Sequence, residues 1–190
     1  MLSQQLKENT RIVHQESERK MIQQLRRIRT SEDYVFFLNR LYGYYRPLED
    51  LLLPWLTRDL LPDIDKRIRA SYLLWDIQEL ERGPLVPELC EELPRIDSFA
   101  RALGALYVLE GSTLGGRIIA EMLARQLGSF KSLSFFNSYG KETGKMWLTF
   151  KTYLNRAYRE EEKEDILSAA TDTFITFKNW IEKYEFHPQL

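Results

Sequence analysis

Apolar residues recur at intervals of three and four positions along most of the chain, a spacing that places them on one face of an α-helix. The strict alternation of apolar and polar residues that is typical of a half-buried strand is absent. The pattern therefore predicts an all-α protein. The predicted helices cover approximately 2–28, a segment that begins near 31, and then 63–81, 99–127, 139–157 and 161–185.

Capping and helix-breaking residues mark the ends of these segments. Ser31 and Asp33, next to Thr30, are typical of a helix start, and Gly128 is typical of a helix end. Pro47 either ends or kinks the helix that begins near residue 31.

Prolines also predict the connections. Pro54 and Pro62 divide the chain between the second and third helices into short pieces. Residues 83–97 contain three prolines and are predicted to form the longest irregular connection. Asp97 or Ser98 is then expected to cap the next helix.

The composition is that of an ordinary globular protein, with 44% apolar and 29% charged residues in 190 positions. A chain of this length is typical of one domain, which we expect to span 1–190. Twenty-seven basic and 28 acidic residues leave a net charge of −1, which excludes the broad cationic field of a non-specific nucleic-acid-binding protein. Cys90 is the only cysteine, which excludes an internal disulfide and a zinc site with two thiolates.

The sequence shows neither a secretory signal nor a membrane span. Residues 1–16 lack the apolar core of a signal peptide, and no apolar run approaches the roughly 20 residues that a membrane-spanning helix needs. We therefore expect a cytoplasmic protein that has neither a membrane nor nucleic acid as a partner.

His14 lies at the border of an apolar stripe on the first predicted helix. Successive helical residues rotate by about 100°, so Lys7, Arg11 and Glu18 fall within about 60° of His14 around the axis. An imidazole in this position is suited to ligate a metal while Lys7 and Arg11 receive an anionic part of the same ligand. A hydrogen-bonded histidine at the edge of the core explains the same pattern, and the spacing leaves both interpretations open.

Four glycines interrupt the apolar helix predicted over 99–127: Gly104, Gly111, Gly115 and Gly116. Each costs roughly 1 kcal/mol relative to alanine in a helix interior, so some interaction must offset about 4 kcal/mol. Gly104, Gly111 and Gly115 lie within about 40° of one another around the axis, which leaves one face without side chains. Such a face admits either a flat ligand against the backbone or a closely packed neighbouring helix, and the pattern does not decide between them.

Two other kinds of site are excluded. The spacing from Gly111 to Gly116 is that of a phosphate-binding loop, but Arg117-Ile118 replaces the required Lys-Ser/Thr pair. A di-iron carboxylate bundle needs two Glu-x-x-His motifs, which His14 and His187 alone do not supply. His187 is predicted to be a solvated residue of the C-terminal tail.

Taken together, the histidine and the glycines resemble motifs of the heme oxygenase family. The motif LKxxTxxxHxxxE at 6–18 is similar to the proximal helix of that family, and YVLEGSTLGG at 107–116 is similar to its distal helix. The aromatic segment 135–154 is similar to its penultimate helix. The motifs most resemble those of bacterial members, which implies a helical single-domain heme oxygenase-like fold.

The resemblance implies roles for the N-terminal residues. His14 would be the axial ligand of the heme iron, with Glu18 near it on the ligand side. Lys7 and Arg11 would lie near the heme propionates.

It also implies that Gly111 and Gly115 form the kinked distal face over which oxygen binds. Ser112 stands where many members carry Asp. We therefore expect ordered water, assisted by Ser112 or Thr113, to deliver protons, with Gly111, Ser112 and Gly115 acting beside His14 in catalysis.

The activity implied is the oxidation of heme b, both substrate and cofactor, to biliverdin, carbon monoxide and ferrous iron. Molecular oxygen and seven electrons are consumed. An external reductant such as ferredoxin, flavodoxin or a reductase would supply the electrons. The alternative is a non-catalytic heme-binding or heme-trafficking protein.

Overall fold

The computed structural model describes residues 1–59, 61–80, 87–128 and 132–183. The α-helices of these residues are α1 (Leu2–Asn9), α2 (Arg11–Arg27), α3 (Ser31–Leu52), α4 (Ile64–Arg67), α5 (Ala70–Leu80), α6 (Phe99–Ser112), α7 (Gly116–Leu127), α8 (Thr143–Ala157) and α9 (Lys163–Glu182). Single 3-10 turns occupy Thr113–Gly115, Gly140–Glu142 and Glu160–Glu162. The described ranges contain no strand, and the predicted all-α class is confirmed.

The C-terminal helix α9 organises the packing. It lies against α1, α2 and α6, while α3 packs mainly on α5. Buried side chains from the first helix to the last form one hydrophobic cluster that includes Leu2, Leu38, Leu106, Phe150 and Ile166. Among the described helices, none combines the length and the apolar character needed to cross a membrane.

Three helix boundaries follow local capping chemistry as predicted. The Thr30 hydroxyl accepts a hydrogen bond from the Asp33 amide at 3.1 Å, and the Asp33 carboxylate accepts one from the Thr30 amide at 3.0 Å, which completes a capping box. The Ser98 hydroxyl accepts from the Arg101 amide at 3.2 Å. Gly128, at φ 72°, ends α7 in a conformation that favours glycine.

The helix predicted over 2–28 is two helices, because Thr10 interrupts it. Thr10 has φ −90° and ψ 0°, and its hydroxyl donates to the Leu6 carbonyl at 2.7 Å. Such a bond to the preceding turn distorts a helix. The Thr10 amide still donates to Leu6 at 2.9 Å, and the His14 amide donates to Thr10 at 2.8 Å, so the hydrogen-bond ladder continues through the break.

Pro47 lies inside α3 without ending it. A proline has no amide hydrogen, so the carbonyl four residues earlier loses its helical donor. That carbonyl belongs to Gly43, and it accepts a hydrogen bond from the Cys90 amide at 2.8 Å. A segment remote in sequence therefore replaces the missing helical bond.

The helix predicted over 63–81 is wrong as a single element, because the chain becomes extended at Ile68 (φ −85°, ψ 115°) between α4 and α5. The buried Glu49 carboxylate of α3 accepts from the Arg69 amide at 2.7 Å and from the Ala70 amide at 3.0 Å. It thereby caps amides that a continuous helix would have used internally. A tertiary contact decides this boundary.

The remaining predictions stand close to the structure. Residues 87–97 of the predicted connection are irregular, and 81–86 lie outside the described residues. The helix predicted over 99–127 is divided into α6 and α7 by a 3-10 turn. The predicted last helix ends at Glu182, and His187 also lies outside the described residues.

Candidate functional site

The junction between α6 and α7 departs from α-helical hydrogen bonding. The Thr113 amide donates to the Glu110 carbonyl, three residues back instead of four. Side-chain hydroxyls add to this pattern, since Thr113 Oγ1 donates to the Glu110 carbonyl at 2.7 Å and Ser112 Oγ donates to the Leu109 carbonyl at 2.6 Å. The chain therefore passes through one 3-10 turn before α7 begins.

Two of the four glycines serve close packing. A Cβ atom at Gly104 would lie 2.2 Å from the Ile166 carbonyl oxygen of α9, and one at Gly116 would lie 2.1 Å from the Phe136 carbonyl oxygen. No side chain larger than hydrogen fits at these separations without a backbone shift. Helix packing therefore explains Gly104 and Gly116.

The other two glycines form an open face. A Cβ atom at Gly115 would meet nothing within 4 Å among the described residues, and one at Gly111 would lie 3.8 Å from Trp147 Cη2. Leu114 and Ile118 follow these glycines at three-residue spacing and are 48% and 68% exposed. Bare backbone flanked by exposed apolar side chains fits a flat, largely apolar ligand. We call these residues the open face.

His14 is exposed on α2, and its ring rests against α9. The imidazole lies 5.2 Å from the Phe174 ring, centroid to centroid, at an interplanar angle of 56°. The Ser17 hydroxyl donates to the Phe174 carbonyl at 3.1 Å and so fixes this part of α2 on α9. Within the described ranges neither imidazole nitrogen makes a hydrogen bond, so both are available to a ligand.

Lys7, Arg11 and Glu18 are exposed on the same N-terminal helices. None of the three forms an ion pair or a side-chain hydrogen bond with the part of the chain that the structure describes. Nearby charges on α2 are paired instead, as in the Lys20–Glu182 bridge at 2.8 Å. Lys7 and Arg11 are therefore cations that an anionic ligand can engage without breaking an existing pair.

A buried polar cluster lies behind the open face. Tyr45 Oη of α3 is 3.1 Å from Ser112 Oγ. Arg69 Nη2 donates to the Leu109 carbonyl at 2.6 Å and to Ser112 Oγ at 3.4 Å. Arg69 is only 2% exposed. A buried cation therefore contacts Ser112 at the junction between α6 and α7.

A second buried cluster anchors the end of α6. Glu110 is fully buried, and its carboxylate pairs with Arg67 and accepts from Tyr139 Oη at 2.7 Å. Arg67 also binds the Asp63 carboxylate at 2.6 and 2.8 Å. Burial raises the pKa of Glu110, and the neighbouring arginines oppose that rise. This network ties the residue before the open face to α4.

Comparison with known proteins decides the family. The sequence model of heme oxygenase matches residues 1–183. The chain belongs to the heme oxygenase family. A heme oxygenase of Xanthomonas campestris pv. campestris (strain 8004) is 30% identical over 149 residues, which are 77% of this chain and 87% of that protein.

A solved heme oxygenase structure, that of Leptospira interrogans, has the same fold. It superposes with a TM-score of 0.75 and 20% sequence identity, and the match covers 96% of this chain and 99% of that one. The predicted heme oxygenase family and fold are therefore confirmed. The chain is an enzyme of heme degradation.

Sequence reasoning missed two polar residues of the candidate site, Tyr45 and Arg69. Helical periodicity marks Tyr45 only as an inward position of α3 and gives no partner for it. Arg67 and Arg69 flank Ile68 directly before an apolar helix, but arginines are usually exposed. The signal for a buried arginine lies in the carbonyl and hydroxyl that it meets, which are 40 and 43 residues away.

Proposed function

We propose that the protein converts heme b to biliverdin, carbon monoxide and ferrous iron, using oxygen and seven electrons from an external donor. A ferredoxin, a flavodoxin or a reductase is the class of donor proposed. The observation that carries the proposal is the open face, where Gly111 and Gly115 leave backbone uncovered between exposed apolar side chains. Heme when bound supplies both the iron that activates oxygen and the ring that is oxidised.

His14 is the proposed ligand of the heme iron. A neutral imidazole is a common ligand of heme iron, and both nitrogens of this exposed ring lack another partner within the described residues. Phe174 holds the ring from the α9 side. Glu18 follows one helical turn later and is proposed to lie on the ligand side without contacting the iron.

Lys7 and Arg11 are the proposed partners of the heme propionates. Both side chains are exposed and free of carboxylate partners in the described chain. Charge-assisted hydrogen bonds from Lys and Arg are suited to carboxylates. Because both residues are exposed on the N-terminal helices, they would hold the propionates at the solvent edge of the site.

Gly111, Ser112 and Gly115 are the proposed distal residues. The two glycines let the porphyrin approach the backbone, and Ser112 Oγ holds water and passes a proton near the open face. Thr113 is less suited to this role, because it is only 7% exposed. The exposed Ser112, in contact with Tyr45, is therefore the proposed proton-handling hydroxyl.

Hemin binding followed by reduction tests this function. The purified protein is titrated with hemin, and the Soret band reports binding. The complex then receives ascorbate in the presence of oxygen, with an anaerobic sample as the control. Loss of the Soret band with growth of biliverdin absorption supports the proposal. A Soret band that persists under oxygen and reductant indicates a heme carrier and contradicts it.

A further inference from the structure

The Leu109 carbonyl at the end of α6 receives two side-chain donors. Ser112 Oγ and Arg69 Nη2 both lie 2.6 Å from its oxygen. Its usual helical donor, the Thr113 amide, is directed to Glu110 instead. Leu109 is buried, so its carbonyl needs donors from inside the protein, and these two side chains supply them.

The short bond to Leu109 fixes the direction of the hydroxyl protons. A serine hydroxyl has one proton to donate, and in this geometry it points to the Leu109 carbonyl. Tyr45 Oη, at 3.1 Å, then donates to Ser112 Oγ. In this arrangement Ser112 is turned inward and presents no proton to the open face.

If Arg69 were absent, turning Ser112 outward would remove the remaining side-chain donor from a buried carbonyl. An unsatisfied buried carbonyl is unfavourable, so such a rotation would be opposed. Arg69 removes that obstacle, because its guanidinium continues to donate to Leu109 after the serine has left. Ser112 is itself exposed, so its hydroxyl has room to turn.

Arg69 is held in this position from several sides. Its backbone amide is bound by the Glu49 carboxylate at 2.7 Å. Its guanidinium carbon lies 5.3 to 5.8 Å from the ring centroids of Tyr45, Phe135 and Tyr139. Its Nε is buried without a hydrogen-bond partner in the described structure. Within the described residues, the hydrogen bonds of the guanidinium go to the Leu109 carbonyl and the Ser112 hydroxyl.

We propose that Arg69 is a positioning residue for heme degradation, which holds the Leu109 carbonyl so that the Ser112 hydroxyl turns between that carbonyl and water on the open face. This inference rests on the proposed function. Arg69 acts through Ser112 and does not touch the substrate. As a consequence, the effect of substituting Arg69 on the biliverdin rate depends on whether Ser112 is present. A packing role for Arg69 would not produce this dependence.

A double-mutant cycle measures this coupling. Arg69→Met and Arg69→Lys are each made in the parent and in the Ser112→Ala background, and hemin affinity and biliverdin rate are measured for all. In the parent background Arg69→Met should lower the rate by roughly tenfold to a hundredfold, with hemin affinity nearly unchanged. In the Ser112→Ala background it should have little further effect. Arg69→Lys, which keeps a charged donor, should restore part of the rate.

A heme-free measurement accompanies the kinetics. The carbonyl ¹³C chemical shift of Leu109 reports donors to that oxygen, and it should move in Arg69→Met and move less in Arg69→Lys. Arg125→Met, on the exposed surface of α7, is the matched control and should change neither the rate nor the shift.

The outcomes separate this inference from the function on which it rests. A parent protein that binds hemin but makes no biliverdin overturns the proposed function. Normal parent turnover, with the same fold-loss from Arg69→Met in both backgrounds, overturns the role of Arg69 alone. If Arg69→Met does not fold, the cycle between Arg69→Lys and Ser112→Ala decides, and additive effects there contradict the proposal.

Discussion

The backbone of Gly104 lies directly against the Ile166 carbonyl, which a Cβ atom at residue 104 would approach to 2.2 Å. Gly104→Ala should therefore force α6 and α9 apart. We expect the free energy of unfolding to fall by about 1–3 kcal/mol, as for other overpacked cores. Urea denaturation followed by circular dichroism measures the change. An alanine variant as stable as the parent would show that the two helices separate without penalty.

Gly115→Ala should separate stability from activity. A methyl group at this position meets nothing within 4 Å in the described structure, and alanine in a helical conformation adds up to about 1 kcal/mol of stability. The melting temperature should stay near that of the parent, and hemin should still bind. The methyl group would occupy the open face, so single-turnover biliverdin yield should fall sharply.

Gly111→Ala is the companion variant, because a Cβ atom there has its nearest contact at 3.8 Å. Full biliverdin yield from both variants would remove the two glycines from the catalytic site. Gly104→Ala serves as the contrast, since it should reduce stability before it affects chemistry.

Replacing His14 should abolish turnover without unfolding the protein. The side chain is exposed and its ring contacts Phe174, so His14→Ala removes little buried surface. We expect an unchanged helical circular dichroism spectrum, an altered Soret band and no biliverdin. Added imidazole should restore part of the activity by occupying the vacated position. Parent-like turnover in the alanine variant would show that another residue ligates the iron.

Reversing the charge of Lys7 and Arg11 should weaken heme binding. Each charge-assisted contact to a propionate contributes about 1–3 kcal/mol, so the double Glu variant should lose at least about tenfold in hemin affinity. Fluorescence quenching by hemin measures the affinity. Arg19→Glu with Arg29→Glu changes the net charge equally on exposed positions and is the matched control. Equal losses in both double variants would indicate a general charge effect.

Glu49 should make stability depend on pH. Burial raises the pKa of this carboxyl to about 7 from an ordinary value of 4.5. Between these values the folded protein holds a proton that the unfolded chain has released, so the free energy of unfolding falls as pH rises from about 4.5 to about 7. Two and a half pKa units correspond to about 3 kcal/mol.

Glu49→Gln removes the titrating group. The variant should therefore lack the fall in unfolding free energy that the parent shows as pH rises. Between pH 5 and pH 8 it should gain up to about 3 kcal/mol in stability relative to the parent. Urea denaturation at several pH values measures it. Asp50→Asn, which alters an exposed pair with Arg46, should run parallel to the parent. Parallel curves for Glu49→Gln as well would show that Glu49 is ionised throughout this range.

Local chemistry made much of the helical fold predictable. Thr30 and Ser98 bind amides within a few residues of themselves, and Gly128 ends its helix at a positive φ, so their effects can be read from the sequence. The break at Ile68 cannot be read in this way. It depends on the Glu49 carboxylate, which arrives from another helix to bind the Arg69 amide.

The candidate site was predictable to a similar extent. The spacing around His14 and the run of glycines pointed to α2 and the α6–α7 junction. The sequence did not separate the glycines needed for packing from those of the open face. That distinction depends on the Ile166 and Phe136 carbonyls, which approach Gly104 and Gly116. The buried position of Arg69 has no periodic signature at all.

The position of α9 in the chain determines when the proposed heme site can exist. Both walls of that site rest on α9, since Phe174 supports His14 and Ile166 packs against the helix that carries the open face. The ribosome completes α2 and α6 well before it reaches α9. Until then the apolar surfaces that α9 covers are available to chaperones or to other chains. The helix that supports both parts of the proposed heme site is therefore the last to be synthesised, and it contributes none of the proposed heme ligands.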